Sequence, residues 1–184
     1  MRLIEIKIEN FRGISSLHIP LDELTVLIGE NNAGKSTVLE AIRLVLTRGV
    51  SSRRVGQFSE YDFHLVDVSA TPQTAQPIKI VLHFAEGQEN EWPDSVVQQM
   101  NEVVQLSTDG LNHIWLQAEG LFNADSASFE NKWSFLNSSG AELTLKNSTS
   151  LNLIWGRSSS RVTSRHFDHG NGTLAFTSKL FRFG

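Results

Sequence analysis

The chain has 184 residues, no cysteine and 40% hydrophobic residues, which sets one domain as the default and excludes a disulfide framework, a cysteine-based zinc site and a cysteine nucleophile. No apolar run approaches the ~20 residues that span a bilayer, and Met1 leads straight into a charged, strand-like segment rather than a signal peptide, so a soluble, cytoplasmic protein with no membrane partner is expected. The net charge of −4 divides into −8 over residues 1–156 (11 basic, 19 acidic) and +4 over residues 157–184, where Arg157, Arg161, Arg165, Lys179 and Arg182 are opposed by Asp168 alone; so acidic a body lacks the broad basic face of a dedicated DNA-binding domain.

Residues Arg2 to Ile8 alternate, with Ile4, Ile6 and Ile8 on one side and Glu5, Lys7 and Glu9 on the other, which predicts a half-buried strand. Asn10-Phe11-Arg12-Gly13 offers a turn. Leu17 and Ile19, flanking His18, suggest a second, antiparallel strand. Leu24 to Ile28 is almost continuously apolar, the pattern of a central strand covered on both faces. From Ser36 the period changes: Val38, Ala41, Ile42 and Val45 mark one face of a helix, with Gly49 a suitable stop.

Beyond this the chain turns mostly to strands. Ile78 to Phe84 alternates. Ser95 to Gln98 resembles a capping box ahead of Met100, Val103 and Val104 at helical spacing. Asp109-Gly110 marks a turn and His113 to Glu119 a strand. Trp133 and Phe135 open another, Ser138-Ser139-Gly140 turns it, and Leu143 and Leu145 return. Ser158 to Gly172, rich in Ser, Arg, His and Gly, has neither period and reads as loop or tail.

One motif carries chemistry. Gly29-Glu30-Asn31-Asn32-Ala33-Gly34-Lys35-Ser36 matches G-x-x-x-x-G-K-[ST], the phosphate-binding loop. By composition, four such fixed positions match by chance in under ~1% of chains this long, and here an apolar strand precedes and an amphipathic helix follows. Glycines let the backbone approach a phosphate without a Cβ in the way. Successive N–H groups form a nest for its oxygens, and the helix adds the positive end of its dipole. Lys35 reaches the β- and γ-phosphates of ATP, Ser36 is the expected Mg²⁺ ligand, and Thr37 assists at a neighbouring oxygen.

Hydrolysis needs more: an acid at the tip of a second apolar strand and a group that positions water. The nearest approach to the acid is Ile80 to Glu86, but His83 interrupts it, and it reads as an ordinary strand ending in a polar turn. Ser138 to Glu142 superficially resembles the signature loop of ATP-binding-cassette proteins, yet reads as a hairpin turn. His64 beside Asp62, and His166 and His169 around Asp168, are the close groupings of histidine with carboxylate; neither lies on a helix, so loop histidines are expected rather than metal ligands. Trp92, Trp115, Trp133 and Trp155 read as packing residues, since no basic residues interleave them. Arg53-Arg54 reads as solvated surface.

The first fifty residues resemble the opening of the ATP-binding-cassette-type ATPase heads of RecF, Rad50 and SMC proteins: strand, Asn10-Phe11-Arg12-Gly13 turn, second strand, phosphate loop. The form Gly29 to Thr37 is most similar to the OLD (overcoming lysogenization defect) family of ATP-dependent nucleases. Tyr61-Asp62-Phe63-His64 and the strand Ile78 to Phe84 also have counterparts there, and the resemblance extends to about Ile154. It implies an α/β P-loop NTPase fold of the ATP-binding-cassette head type, here its N-terminal lobe with a β-rich antiparallel edge over residues 1–156, followed by a poorly ordered basic tail over 157–184.

The resemblance further implies ATP and Mg²⁺ as cofactors, held by residues 29–37, and heads that dimerise around ATP. In the full family architecture a Toprim domain follows and cuts DNA. The Walker B acid, signature loop and Toprim domain are not recognisable here. The abrupt change of composition near residue 157 favours a truncation or frameshift over a deliberately short protein acting with partners. A RecF- or SMC-like repair ATPase fragment and a non-hydrolysing nucleotide-sensing subunit are the alternative readings.

Overall fold

The computed structural model describes residues 1–31, 33–46 and 58–145, together with the backbone of 173–177. Four strands build the centre of the fold: β1 (Arg2–Phe11), β2 (Ile14–Pro20), β4 (Ile78–Ala85) and β6 (Asn112–Asn123). With the short β5 (Gln105–Leu106) they form an antiparallel sheet in the order β2-β1-β4-β6-β5, and β7 (Ser128–Leu136) pairs with β6. A second sheet holds two strands, β3 (Leu24–Ile28) and β8 (Thr173–Thr177). Helix α1 (Lys35–Leu46) packs on the inner face of the large sheet, and a short helix α2 (Asp94–Gln99) follows β4. The α/β class and the β-rich antiparallel lobe expected from the sequence are both present.

The register explains the core. Ile6, Leu82, Leu116 and Phe135 align across β1, β4, β6 and β7, and Ile8, Ile80 and Ala118 form the next row. All of these are buried. Onto this floor α1 lays Val38, Ala41, Ile42 and Val45, the stripe predicted from the period. Burying such a side chain stabilises the fold by roughly 1.5–3 kcal/mol relative to exposure. The opposite face carries Lys7, Val81, Gln117 and Ser134 in one row and Glu9, Lys79, Glu119 and Lys132 in another. This is the two-sided pattern of an antiparallel sheet with one face in water.

Several expectations are corrected. A bulge between Leu3 and Glu5 shifts the phase of β1, so Leu3 rather than Ile4 points into the core. The strand Leu24–Ile28 is not covered on both faces: Leu27 packs toward the core, whereas Leu24, Val26 and Ile28 are 62%, 44% and 79% exposed. It stands outside the large sheet and pairs with β8, so among the described residues no second layer covers that side.

Helix α2 begins after Pro93, without a side-chain cap at Ser95, and ends before Met100. Trp133 and Phe135 close β7 rather than open it, and Leu143 and Leu145 form no strand, although both pack against the core. The stretch read as a basic tail contributes β8. Gly49, Arg53, Arg54, Trp155, His166 and His169 lie outside the described residues.

Candidate functional site

The loop after β3 turns back on itself before α1 begins. Ala33 N donates to Glu30 O at 3.1 Å, and Gly34 takes φ = +81°, a left-handed conformation that favours glycine. The first helical bond runs from Val38 N to Gly34 O. The N–H groups of the residues before Val38 are therefore those a helix cannot satisfy itself. Lys35 folds across the loop, its Nζ donating to the carbonyl oxygens of Gly29 and Glu30, each at 2.7 Å. Among the described residues the ammonium thus sits with backbone dipoles and pairs with no carboxylate. Glu30, Asn31, Ala33 and Ser36 are exposed, while Gly29, Gly34, Lys35 and Thr37 are partly buried. Asn32 lies outside the described residues.

Beside the loop an open cavity of about 470 Å³ lies between β2 and β3. Ile14, Leu17 and Ile19 line it from β2, Val26 and Ile28 from β3, and Val38 from α1. Gly34 and Lys35 of the loop also line it, and Ser15 and Ser16 supply hydroxyls. The volume falls within the ~300–1,000 Å³ typical of ligand pockets.

The turn that leads into this wall is held by a segment far away in sequence. Asn10 and Arg12 adopt left-handed φ values of 55° and 52°. Arg12 Nε donates to Asp62 Oδ1 at 2.8 Å, Arg12 N to Asp62 O at 2.7 Å, and His64 N to Asn10 O at 3.0 Å. His64 Nδ1 lies 2.7 Å from Arg12 O. Asp62 is buried and also accepts from the backbone N and hydroxyl of Ser59. On the other side, Arg12 approaches Glu40 of α1 at 4.0 Å. His64 is therefore a structural tie. Sequence reasoning passed over Arg12 and Asp62 as a pair; fifty residues separate them, and no periodicity links such positions.

Glu86, directly after β4, serves as an acceptor for backbone amides. It is buried, its carboxylate accepts from Trp92 N at 2.7 Å and Asn112 N at 2.9 Å, and β4, which it follows, is antiparallel to both its neighbours. Ser138 to Glu142 is a hairpin turn, closed by Asn137 N to Ala141 O at 2.8 Å and by Asn137 Oδ1 accepting from Ser139 N and Ala141 N.

A grouping not foreseen lies on the outer sheet face. His83 Nε2 and His113 Nδ1 are 2.8 Å apart, His113 Nε2 is 3.0 Å from Asp109 Oδ2, and the His83 ring stacks on Trp115 at 4.2 Å. Burial, then the neighbouring His113, pushes the His83 pKa down to about 4. Trp92 is buried and Trp133 stacks on Phe58, so the three described tryptophans are packing residues, as expected. Among the described residues no three His, Asp or Glu side chains come together as a metal site. None of the described helices is long and apolar enough to cross a membrane.

The chain belongs to the family described as "Protein of unknown function (DUF2813)", which matches residues 1–164 and so runs past Ile154. The OLD nuclease of Thermus scotoductus is 37% identical over 82 residues, covering 45% of this chain and 14% of that protein. Endonuclease GajA of Bacillus cereus is 34% identical over 82 residues, covering 45% and 13%. The uncharacterized protein YbjD of Escherichia coli is 47% identical over 47 residues, covering 26% and 8%. The chain thus spans about a seventh of the length of the two nucleases, and the resemblance to the OLD family is borne out. A solved structure described as structural biochemistry of ATP-driven dimerization and DNA-stimulated activation of SMC ATPases shares 14% identity over 85% of this chain and 80% of that one, with a TM-score of 0.49.

Proposed function

We propose that residues 1–156 are the ATP-binding lobe of an OLD-like ATPase of the ATP-binding-cassette head type, and that Gly29 to Thr37 hold ATP–Mg²⁺. The observation that carries this reading is Lys35. Its ammonium is folded over the loop mouth onto two carbonyls, next to the amides at the start of α1. That donor set fits a phosphate: an ammonium, backbone N–H groups and a helix N-terminus lie together. Bound Mg²⁺ neutralises phosphate charge, and Ser36, exposed at the first turn, is its protein ligand in this reading. Lys35 binds the phosphates as a point charge, and Gly34 keeps the backbone open to them. The similarity to OLD nuclease and endonuclease GajA adds weight, and by it the lobe regulates DNA cleavage in a longer family architecture.

Nucleotide titration tests the reading. Lys35→Ala is expected to abolish binding of a fluorescent ATP analogue, and an unchanged affinity would overturn the assignment. The isolated chain is expected to release phosphate from ATP slowly, because Glu86 is committed to backbone amides. Dimerisation of heads around ATP belongs to the same reading. Sedimentation with and without ATP–Mg²⁺ measures it.

A further inference from the structure

We propose that residues 178–184 of this chain dock as a strap on the exposed apolar face of β3, with Phe181 and Phe183 over Leu24 and Val26 and Lys179 beside Asp22 and Glu23. Leu24, Val26 and Ile28 alternate along β3, so all three project from one face, and all three are exposed. A contiguous row of large apolar side chains marks an interaction surface rather than a solvated one. Val26 and Ile28 also line the open cavity of about 470 Å³, which leaves space for aromatic rings over them.

Position selects the occupant. β8 runs antiparallel to β3, and its last residue, Thr177, pairs with Leu24. The chain therefore leaves this sheet at the N-terminal end of β3, next to the exposed Asp22 and Glu23. Residues 178–184 lie outside the described residues; extended, they span up to about 25 Å, against about 17 Å for β3. That is enough to reverse beside Thr177 and reach Leu24 and Val26.

Composition selects the same segment. It carries the cations Lys179 and Arg182 with Leu180, Phe181 and Phe183, and no acidic side chain. In an extended segment Lys179, Phe181 and Phe183 share one side. A strap that reverses after β8 runs parallel to β3, so the two orders can be compared directly. The strap presents a cation and then two rings at two-residue spacing; β3 is entered through Asp22 and Glu23 and continues with Leu24 and Val26 at the same spacing. The Asp22 side chain is 92% exposed and lies 3.8 Å from Arg2, which leaves its carboxylate accessible to a second cation.

Nuclear Overhauser contacts in the full chain test this. Contacts from the Phe181 and Phe183 rings to the methyl groups of Leu24 and Val26 are expected, and their absence overturns the proposal. Mixing labelled and unlabelled chains separates a strap within one chain from an exchange between two; contacts that arise only between chains overturn it and place a second copy on β3. Lys179→Glu is expected to abolish the contacts and Asp22→Lys in the same chain to restore them, whereas contacts that survive Lys179→Glu overturn the charge pairing that orders the strap. A chain ending at Thr177 is expected to bind more of the hydrophobic dye ANS than the full chain. Equal dye binding shows that the face is open with or without the segment, and overturns the proposal.

Discussion

Two side chains show how a single residue decides a local structure. Asp62 gathers Arg12 Nε, Ser59 N and the Ser59 hydroxyl within a buried pocket. Replacing it with alanine leaves those donors without an acceptor, at a cost of about 1–3 kcal/mol. Thermal unfolding of Asp62→Ala followed by circular dichroism is expected to show that loss. The second is His83. Its folded-state pKa lies near 4, below the ordinary 6.5, so the unfolded chain takes up the proton first. Its contribution to stability is complete above about pH 6.5 and is lost as the pH falls from there toward 4. Glu5, Lys7, His113 and Asp109 are the titratable groups around it. Urea unfolding at pH 7.5, 6.0 and 4.5 is expected to follow that slope, and His83→Phe, which keeps the stack on Trp115, is expected to flatten it. Neither role was visible in the sequence: Asp62 looked like half of a loose Asp–His pair, and His83 like an interruption in a strand.

At the level of elements, the strand, loop and helix from Leu24 to Leu46 were legible because each is encoded by near neighbours. An apolar run, a glycine pair and a helical stripe need no distant partner to be recognised. Packing between elements is another matter. A Cβ placed on Gly120 would lie 2.7 Å from Cδ2 of Phe58. That ring also meets Phe11 edge-on and stacks on Trp133. Gly120→Ala therefore forces the ring or β6 to move, with a destabilisation of about 1–3 kcal/mol. Phe58→Leu in the same chain is expected to recover part of that loss, and a double-mutant cycle by chemical denaturation measures the coupling. A glycine in the middle of a strand hints at a close approach, but only the fold names Phe58 as what approaches.

At the scale of the whole molecule, the described residues include a large sheet with a helix on its inner face and a smaller sheet whose strand β3 leads into the phosphate-loop motif. The cavity lies where these two sheets meet, so a ligand there bridges them. In the proposed reading ATP–Mg²⁺ stabilises the folded chain by about 2.7 kcal/mol at a hundred times its dissociation constant. That is expected to raise the unfolding midpoint by roughly 5–10 °C for a domain of this size. Differential scanning fluorimetry with and without ATP–Mg²⁺ measures it, and Lys35→Ala is expected to remove the shift.

The sequence by itself determined the loop, the helix stripe, the alternation of β4 and the family. Each is written in residues that are neighbours in the chain or in a motif of fixed spacing. The tertiary structure alone decided that β1 bulges at Leu3, that β3 stands outside the large sheet with Leu24, Val26 and Ile28 exposed, and that Asp62 holds the Arg12 turn. It also decided that Glu86, at the end of β4, caps backbone amides. The physical reason is common to all four. Periodicity states which face of an element is apolar, but the partner that covers the face, or satisfies a buried charge, is chosen by packing across long separations in sequence. The modest length and acidic balance of the chain bounded the fold; the meeting of its two sheets made the cavity.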